Sequence, residues 1–181
     1  SPEEIFTENG KDYFKKKDPS KKVKVGPSES MSKSKKNTID PQNIIDEYGA
    51  DSVRFFILSD SPPERDVQWS DEGMLSSYKF IQKFWSLSEN ILEISSIENQ
   101  ENNEEIDIFT NQMINKVDHA LEKFRYNVIV AIFHEIYSFF RKISEKNKNY
   151  KNLKKNFEKI LIIMSPVIPH LAIECLTKFN F

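Results

Sequence analysis

At 181 residues, 38% hydrophobic and 30% charged, the chain can bury one good core, with room for a smaller appendage and a generous polar surface. Its one cysteine, Cys175, excludes an internal disulfide, and no apolar run is long enough to span a bilayer. The acidic opening SPEEIF is no signal peptide, so the sequence points to a soluble, cytoplasmic protein with no membrane partner.

The net charge of −2 hides a segregation. Residues 1–36 carry +4, residues 37–110 carry −12 and residues 111–181 carry +6. Two basic zones around an acidic middle fit a chain that meets a polyanion at selected faces. The acidic middle reads as solvated surface.

In chain order, residues 1–26 hold short β-like pieces, EEIFT, DYF and KKVKVG, broken by Asn9-Gly10 and by Asp18-Pro19-Ser20. Asn-Gly between such runs is a hairpin signal. Because the chain opens at SPEEIF with no preceding element, it reads as a piece of something larger. Gly26-Pro27 breaks into a loop over 26–39. Asp40-Pro41 then predicts a helix start, since the carboxylate can cap free N–H groups and proline suits the first helical position. This helix, QNIIDEY, is expected to stop at Gly49. Asp51 is expected to cap a second helix, SVRFFIL, with Val53, Phe56 and Ile57 facing inward and Ser61-Pro62-Pro63 ending it. ERDVQW is an extended connector to a third cap at Ser70. Residues 37–69 thus amount to two short helices and a connector, too little to stand alone.

From Ser70 the apolar period lengthens. Met74, Leu75, Tyr78, Ile81, Phe84, Trp85, Ile91 and Leu92 recur near every 3.6 residues, as on an amphipathic helix. SSIENQENNEEID (95–107) has almost no apolar content and is expected to be a long loop. A second long helix carries Phe109, Met113, Val117 and Leu121. A third starts near Asn127 and carries Val130, Phe133, Ile136 or Tyr137, Phe140 and Ile143. EKNKNYKN leads to a fourth through Leu153, Phe157, Ile160, Leu161 and Met164, which Pro166 and Pro169 end, and HLAIECL starts a fifth. The expected fold is mainly α, an antiparallel bundle of four to five helices over 70–181 preceded by a small irregular and β segment.

Between the β pieces and the first helix stands SMSKSKK (30–36), three lysines and three serines with no apolar period. Lysine meets phosphate as a point charge, and hydroxyls with backbone N–H groups supply further donors. Ser32, Lys33 and Ser34, with Lys35 and Lys36 behind, can wrap a triphosphate. No GxxxxGK followed by Ser or Thr occurs, so this is not a Walker loop. Such a loop would act in the transition state, on charge developing on a departing pyrophosphate. On MSKSK alone, a merely solvated or phosphorylatable stretch remains the alternative.

Six stretches change that balance: SMSKSKKNTIDP (30–41), YGADSVRFFIL (48–58), SPPERDVQWSDEG (61–73), YKFIQKFW (78–85), FRYNVIVAI (124–132) and SPVIPHLAIECL (165–176). In this order and spacing the chain resembles class I aminoacyl-tRNA synthetases, with their KMSKS signature loop. Within the class it resembles leucyl-tRNA synthetases of the bacterial type. The resemblance implies an enzyme that joins leucine to ATP (with Mg2+), forming leucyl-adenylate and pyrophosphate, and then transfers leucine to tRNA(Leu). It implies three regions: the end of a Rossmann-type catalytic domain's insertion with its signature loop (1–36), a stem-contact junction of short helices (37–69) and a helical anticodon-binding bundle (70–181).

Lys33 matches the second signature lysine, which in the family binds ATP phosphates during adenylate formation. Ser32 and Ser34 match its hydroxyl positions, within the motif Ser30-Met31-Ser32-Lys33-Ser34. Ser30 stands where the family has its first lysine, so that contact is missing or comes from Lys35 or Lys36. The family's other ATP signature, HIGH, is not in this chain, nor are an editing domain or a small C-terminal tRNA-binding domain. The resemblance therefore implies a monomeric piece that binds no cofactor and forms no adenylate alone. Valyl-, isoleucyl- and methionyl-tRNA synthetases share the loop and bundle, although SPPERDVQWSD and IDPQNII favour the leucyl group. A free-standing, non-catalytic tRNA-binding helical module with a vestigial loop is the alternative of another class.

Other residues read more plainly. His119, His134 and His170 stand singly, without the cluster a metal needs. Cys175 sits in an apolar run and Trp69 and Trp85 at cap or helical positions, all three fitting a packing role. Asp66 and Asp71 do not make a catalytic pair, and capping suffices for Asp71. The basic set Arg141, Lys142, Lys146, Lys148, Lys151, Lys154 and Lys155 gathers around the connector between the third and fourth long helices. It fits contact with tRNA phosphates or, equally, a solvated Asn/Lys-rich loop.

Overall fold

The computed structural model describes residues 5–8, 12–24, 29–60, 62, 64–98, 101–146 and 148–180. The chain forms two compact units, Ser1–Ile39 and Asp40–Phe181.

The first unit holds a three-stranded antiparallel sheet in the order β1-β2-β3, with β1 Ile5–Glu8, β2 Asp12–Lys15 and β3 Asp18–Val23. Phe6 faces Phe14 across β1 and β2, their rings 5.7 Å apart, and Tyr13 faces Val23 across β2 and β3. The expected break at Asp18-Pro19-Ser20 is instead the start of β3, and the turn falls on Lys16-Lys17. Proline is tolerated here because β3 is an outer strand, where a missing N–H leaves no ladder partner unmet. Asn9-Gly10 and Gly26-Pro27 lie outside the described residues. Phe6, Tyr13, Phe14 and Val23 are only half buried, so among the described residues the sheet closes no core of its own.

The second unit is helical throughout. Asp40 Oδ1 accepts from the Gln42 N–H at 3.0 Å and Pro41 opens α1 Pro41–Tyr48, as the cap signal predicts. Gly49 ends it at φ +80°, a left-handed conformation that side chains rarely adopt, with its N–H on the Ile45 carbonyl at 2.8 Å. α2 then begins two residues early, at Ala50, and runs to Asp60. Asp51 is therefore inside the helix and does not cap it. Its carboxylate, 6% exposed, turns to the start of α7 Pro169–Lys178, accepting from Leu171 N–H at 2.7 Å and His170 N–H at 3.3 Å. α7 has no side-chain cap from its own preceding residue, so Asp51 satisfies these amides from across the fold. Arg54 completes the attachment, donating Nε to Val167 O and Nη2 to Pro166 O at 2.9 and 2.8 Å. The inward residues of α2 are Phe55 and Phe56. Ile57, expected inside, is 47% exposed, because helices on both sides demand a different face from the one an isolated helix would show.

Ser70 caps α3 Asp71–Ser95, its hydroxyl accepting from Gly73 N–H at 3.1 Å. Gly73 admits the Phe56 ring so closely that a Cβ there would meet it at 2.7 Å. The buried face of α3 is Met74, Ser77, Phe80, Phe84, Leu87, Ser88, Ile91 and Ile94. Tyr78, Ile81, Trp85 and Leu92 flank it half buried, and Leu75 points outward. The expected loop over 95–107 is shorter, since α4 Glu104–Glu122 starts inside it with Asn103 as cap and Ile106 fully buried. Its acidic start favours this, because Glu104, Glu105 and Asp107 lie at the positive end of the helix dipole. α5 Tyr126–Glu145 buries Val130, Phe133, Ile136, Phe140 and Ile143, the stripe read from the sequence. α6 Leu153–Met164 and α7 follow, with Pro169 at the first position of α7.

α3 packs on α2, α5, α6 and α7, while α4 packs on α5 and α6, so α3–α7 form a five-helix bundle to which α2 adds Phe55. Phe84, Phe140, Phe157 and Phe179 fill its centre, each fully buried.

Candidate functional site

The signature loop folds as two overlapping turns over Ser32–Lys36. Lys35 N–H reaches Ser32 O at 3.1 Å, and Lys36 N–H reaches Lys33 O at 3.2 Å. Lys36 then takes φ +53°, a left-handed conformation costing a non-glycine residue about 1–2 kcal/mol, and this reverses the chain. Asn37 closes the loop: its Oδ1 accepts from Ser32 N–H at 2.8 Å and its Nδ2 donates to Ser30 O at 3.4 Å. The Ser32 hydroxyl accepts from Lys35 N–H at 3.3 Å and lies 3.2 Å from Ser34 Oγ. Ser32, Lys33 and Ser34 are thus held together, with Lys33 exposed. Among the described residues Lys33 and Lys36 have no acidic partner, whereas Lys35 pairs with Glu29 at 2.8 Å. Ser30 and Met31 sit at the mouth of the loop, Met31 at 48% exposure. The result is an exposed, water-facing cluster of hydroxyls and two unneutralised ammonium groups, apt for a phosphate chain.

The basic set is more divided than its sequence reads. Arg141 pairs with Glu145 at 2.8 Å, Lys154 with Glu158 at 3.8 Å and Lys148 with Glu101 at 2.6 Å. The Glu101 carboxylate holds the Lys148 ammonium above its usual range. Lys142, Lys146, Lys151 and Lys155 remain without an acidic partner among the described residues, on the end of α5, the connector and the start of α6. The connector itself is no freely solvated loop, since Asn149 and Tyr150 are buried at 8%. Asn149 Nδ2 donates to Ile97 O, and Lys151 N–H donates to Glu101 O at 2.9 Å. Asn152 exchanges two bonds with the Asn103 backbone, while its Nδ2 and that of Asn156 donate to Asp107 at 2.6 and 2.7 Å. This network ties the end of the 95–103 segment to the start of α6 and fixes where the lysines stand.

His170 is exposed, with Nδ1 2.9 Å from Asp51 Oδ1, beside a cleft of about 570 Å³ lined by Tyr48, Ile81, Trp85 and Glu174. His134 lies edge-on to Phe55 and 4.5 Å from the Phe80 ring, and partial burial with the nearby Lys83 lowers its pKa. His119 is exposed on α4. Cys175 is buried, which pushes its thiol pKa up. Trp69 donates Nε1 to Asp71 Oδ1 at 2.7 Å and packs on Phe56, while Trp85 carries the Lys178 ammonium over its ring at 4.1 Å. Among the described residues no three His, Cys, Asp or Glu converge as a metal site, and no helix is long and apolar enough to cross a membrane. Sequence reasoning missed Asn37 and the Asp51–His170 pair. The first is six residues beyond the mouth of the loop it closes, and the second joins positions far apart in the chain, so neither leaves a local pattern.

The chain can be compared with known proteins on this footing. A family model for tRNA synthetases class I (I, L, M and V) matches residues 23–70, which include the loop, and one for the anticodon-binding domain of tRNA ligase matches residues 103–180. The leucine–tRNA ligase of Ruegeria pomeroyi is 35% identical over 94% of this chain, and that of Bartonella quintana 37% identical over 97%. These alignments cover 19% and 21% of the relatives, so the chain spans about a fifth of their length. The LeuRS of Agrobacterium radiobacter, solved in a ternary complex with tRNA and LeuAMS, shares the fold at a TM-score of 0.74 and 23% identity, over 83% of this chain and 21% of that one. With both family models in register on one chain, the chain belongs to the class I tRNA synthetases, and along nearly all of its length it is similar to leucine–tRNA ligases.

Proposed function

We propose that this chain is the signature-loop and helical-bundle part of a cytoplasmic leucine–tRNA ligase, which activates leucine with ATP and Mg2+ and transfers it to tRNA(Leu). The observation that carries this reading is the continuous similarity to leucine–tRNA ligases through both the loop and the bundle. In this reading Lys33 meets the ATP phosphates, Ser32 and Ser34 supply hydroxyl donors, and residues 37–69 join the catalytic core to the bundle. The doubly turned loop supports these roles, because it keeps the three side chains together in water without neutralising Lys33.

Leucine-dependent exchange of pyrophosphate into ATP by the full-length enzyme tests the proposal. Leucine is expected to support exchange about a hundredfold better than valine or isoleucine, and also better than methionine. Faster exchange with one of those would place the chain with that enzyme, and no exchange with any would leave a tRNA-binding module.

The unpartnered lysines around the α5–α6 connector are the proposed phosphate contacts for tRNA. Each neutralised phosphate releases counterions and steepens the salt dependence of binding. Replacing Lys151 and Lys155 together by alanine in the full-length enzyme should lower the log–log salt slope of tRNA binding by about 1–2. An unchanged slope would remove these residues from the interface.

A further inference from the structure

We infer that Asn37 is the positioning residue of the signature loop, acting on the ATP phosphates only through Lys33. The inference rests on the ligase reading above and adds a residue outside the SMSKS motif. Ser32 to Lys36 turn back on themselves, and the Asn37 carboxamide then bridges two backbone groups of the incoming arm, Ser30 O and Ser32 N–H. The return is possible because Lys36 adopts φ +53°, bringing Asn37 back beside the loop's first turn.

Among the described residues Glu29 also spans the loop, through its ion pair with Lys35 at 2.8 Å, but the Asn37 carboxamide is what holds the backbone on both sides of Met31. Glu29 holds only Lys35, and the Ser32 hydroxyl bonds only within the turn. The Asn37 clasp therefore fixes the backbone of Ser32 immediately before Lys33 and limits the directions in which the Lys33 stem can leave the loop. A loop freed of it must order itself each time phosphate charge develops, and that cost falls on the transition state. Asn37 touches no phosphate in this account. Oδ1 carries most of the effect, since its bond at 2.8 Å is the shorter of the two.

The test is a double-mutant cycle in the full-length enzyme, read as leucine-dependent pyrophosphate exchange. Asn37→Ala is expected to lower kcat about tenfold with the leucine KM and the melting temperature unchanged. In a Lys33→Ala background the same change should have no further effect, because the group it positions is gone. Equal fold-losses in both backgrounds, or no loss in the first, would overturn the inference. Loss accompanied by a lowered melting temperature and unaltered in the Lys33→Ala background would do the same, marking Asn37 as structural only. If the wild-type enzyme shows no leucine-dependent exchange, the ligase reading itself fails and takes this inference with it. Normal wild-type exchange with an indifferent Asn37→Ala sinks the inference alone.

Discussion

Phe157→Ala should destabilise the helical unit by about 3–5 kcal/mol. Phe157 is fully buried, and its ring meets rings from three other parts of the fold. It stacks on Phe84 of α3 at 5.8 Å, takes the edge of Phe140 of α5 at 5.1 Å and leans on Phe179, just beyond α7, at 5.7 Å. Truncation removes both the transfer free energy of the ring and the contacts of the cavity left behind. Neighbouring phenylalanines are anchored in separate parts of the fold, so they cannot all close in. Urea unfolding of the 181-residue chain, followed by helical circular dichroism, measures the loss. Ile173→Ala is the control: at 58% exposure it should change stability by no more than about 0.5 kcal/mol. Similar losses in the two variants would mean that the ring cluster is not the centre of the core.

The stripe of α5 was legible because one apolar face recurs over Tyr126–Glu145 without interruption. Caps were legible too: Asp40 and Ser70 act within a few residues of themselves, whereas Pro169, read as ending the fourth long helix, stands at the first position of α7. The phase of α3 was not, because Ser77 and Ser88 lie in its buried face and carry no hydrophobic signal, while Leu75 looks apolar and faces water. Helix α4 was cut short for a related reason. Asn103, Asn152, Asn156 and Asp107 stand in stretches that read as solvated, yet they bond one another across the fold, and Asn149 donates to the Ile97 carbonyl. Composition records that these groups are polar and says nothing of where their partners lie. Asp51 shows the same limit, since a capping carboxylate is recognisable, but the helix it caps lies more than a hundred residues away.

The site divides in the same manner. Lys33 between two serines is a local pattern whose chemistry can be read directly, and the turns that hold it are local as well. What the pattern leaves out is neutralisation. Glu29 takes Lys35, and Glu101, Glu145 and Glu158 take three members of the basic set, so the freely available charge is smaller than the lysine count implies. Lys33 stays free of such a partner among the described residues, and this makes its removal consequential. An exposed ammonium contributes little to the stability of a loop in water. In the proposed role, facing the charge shed by ATP in a closed active site, it would contribute far more, because water would no longer screen it and it would already be in place. Loss of one such preorganised cation should lower the rate of adenylate formation about 10²–10³-fold. Arginine is not its equal, since a planar fork replaces a compact charge on a flexible stem.

The most direct measurement is therefore the rate of leucine-dependent pyrophosphate exchange by the full-length enzyme carrying Lys33→Ala. The account predicts a kcat lower by about 10²–10³-fold with the leucine KM essentially unchanged, the pattern of an interaction made only in the transition state. Exchange at the wild-type rate would contradict it, and a rise in KM with kcat intact would place Lys33 in substrate binding and out of the chemical step.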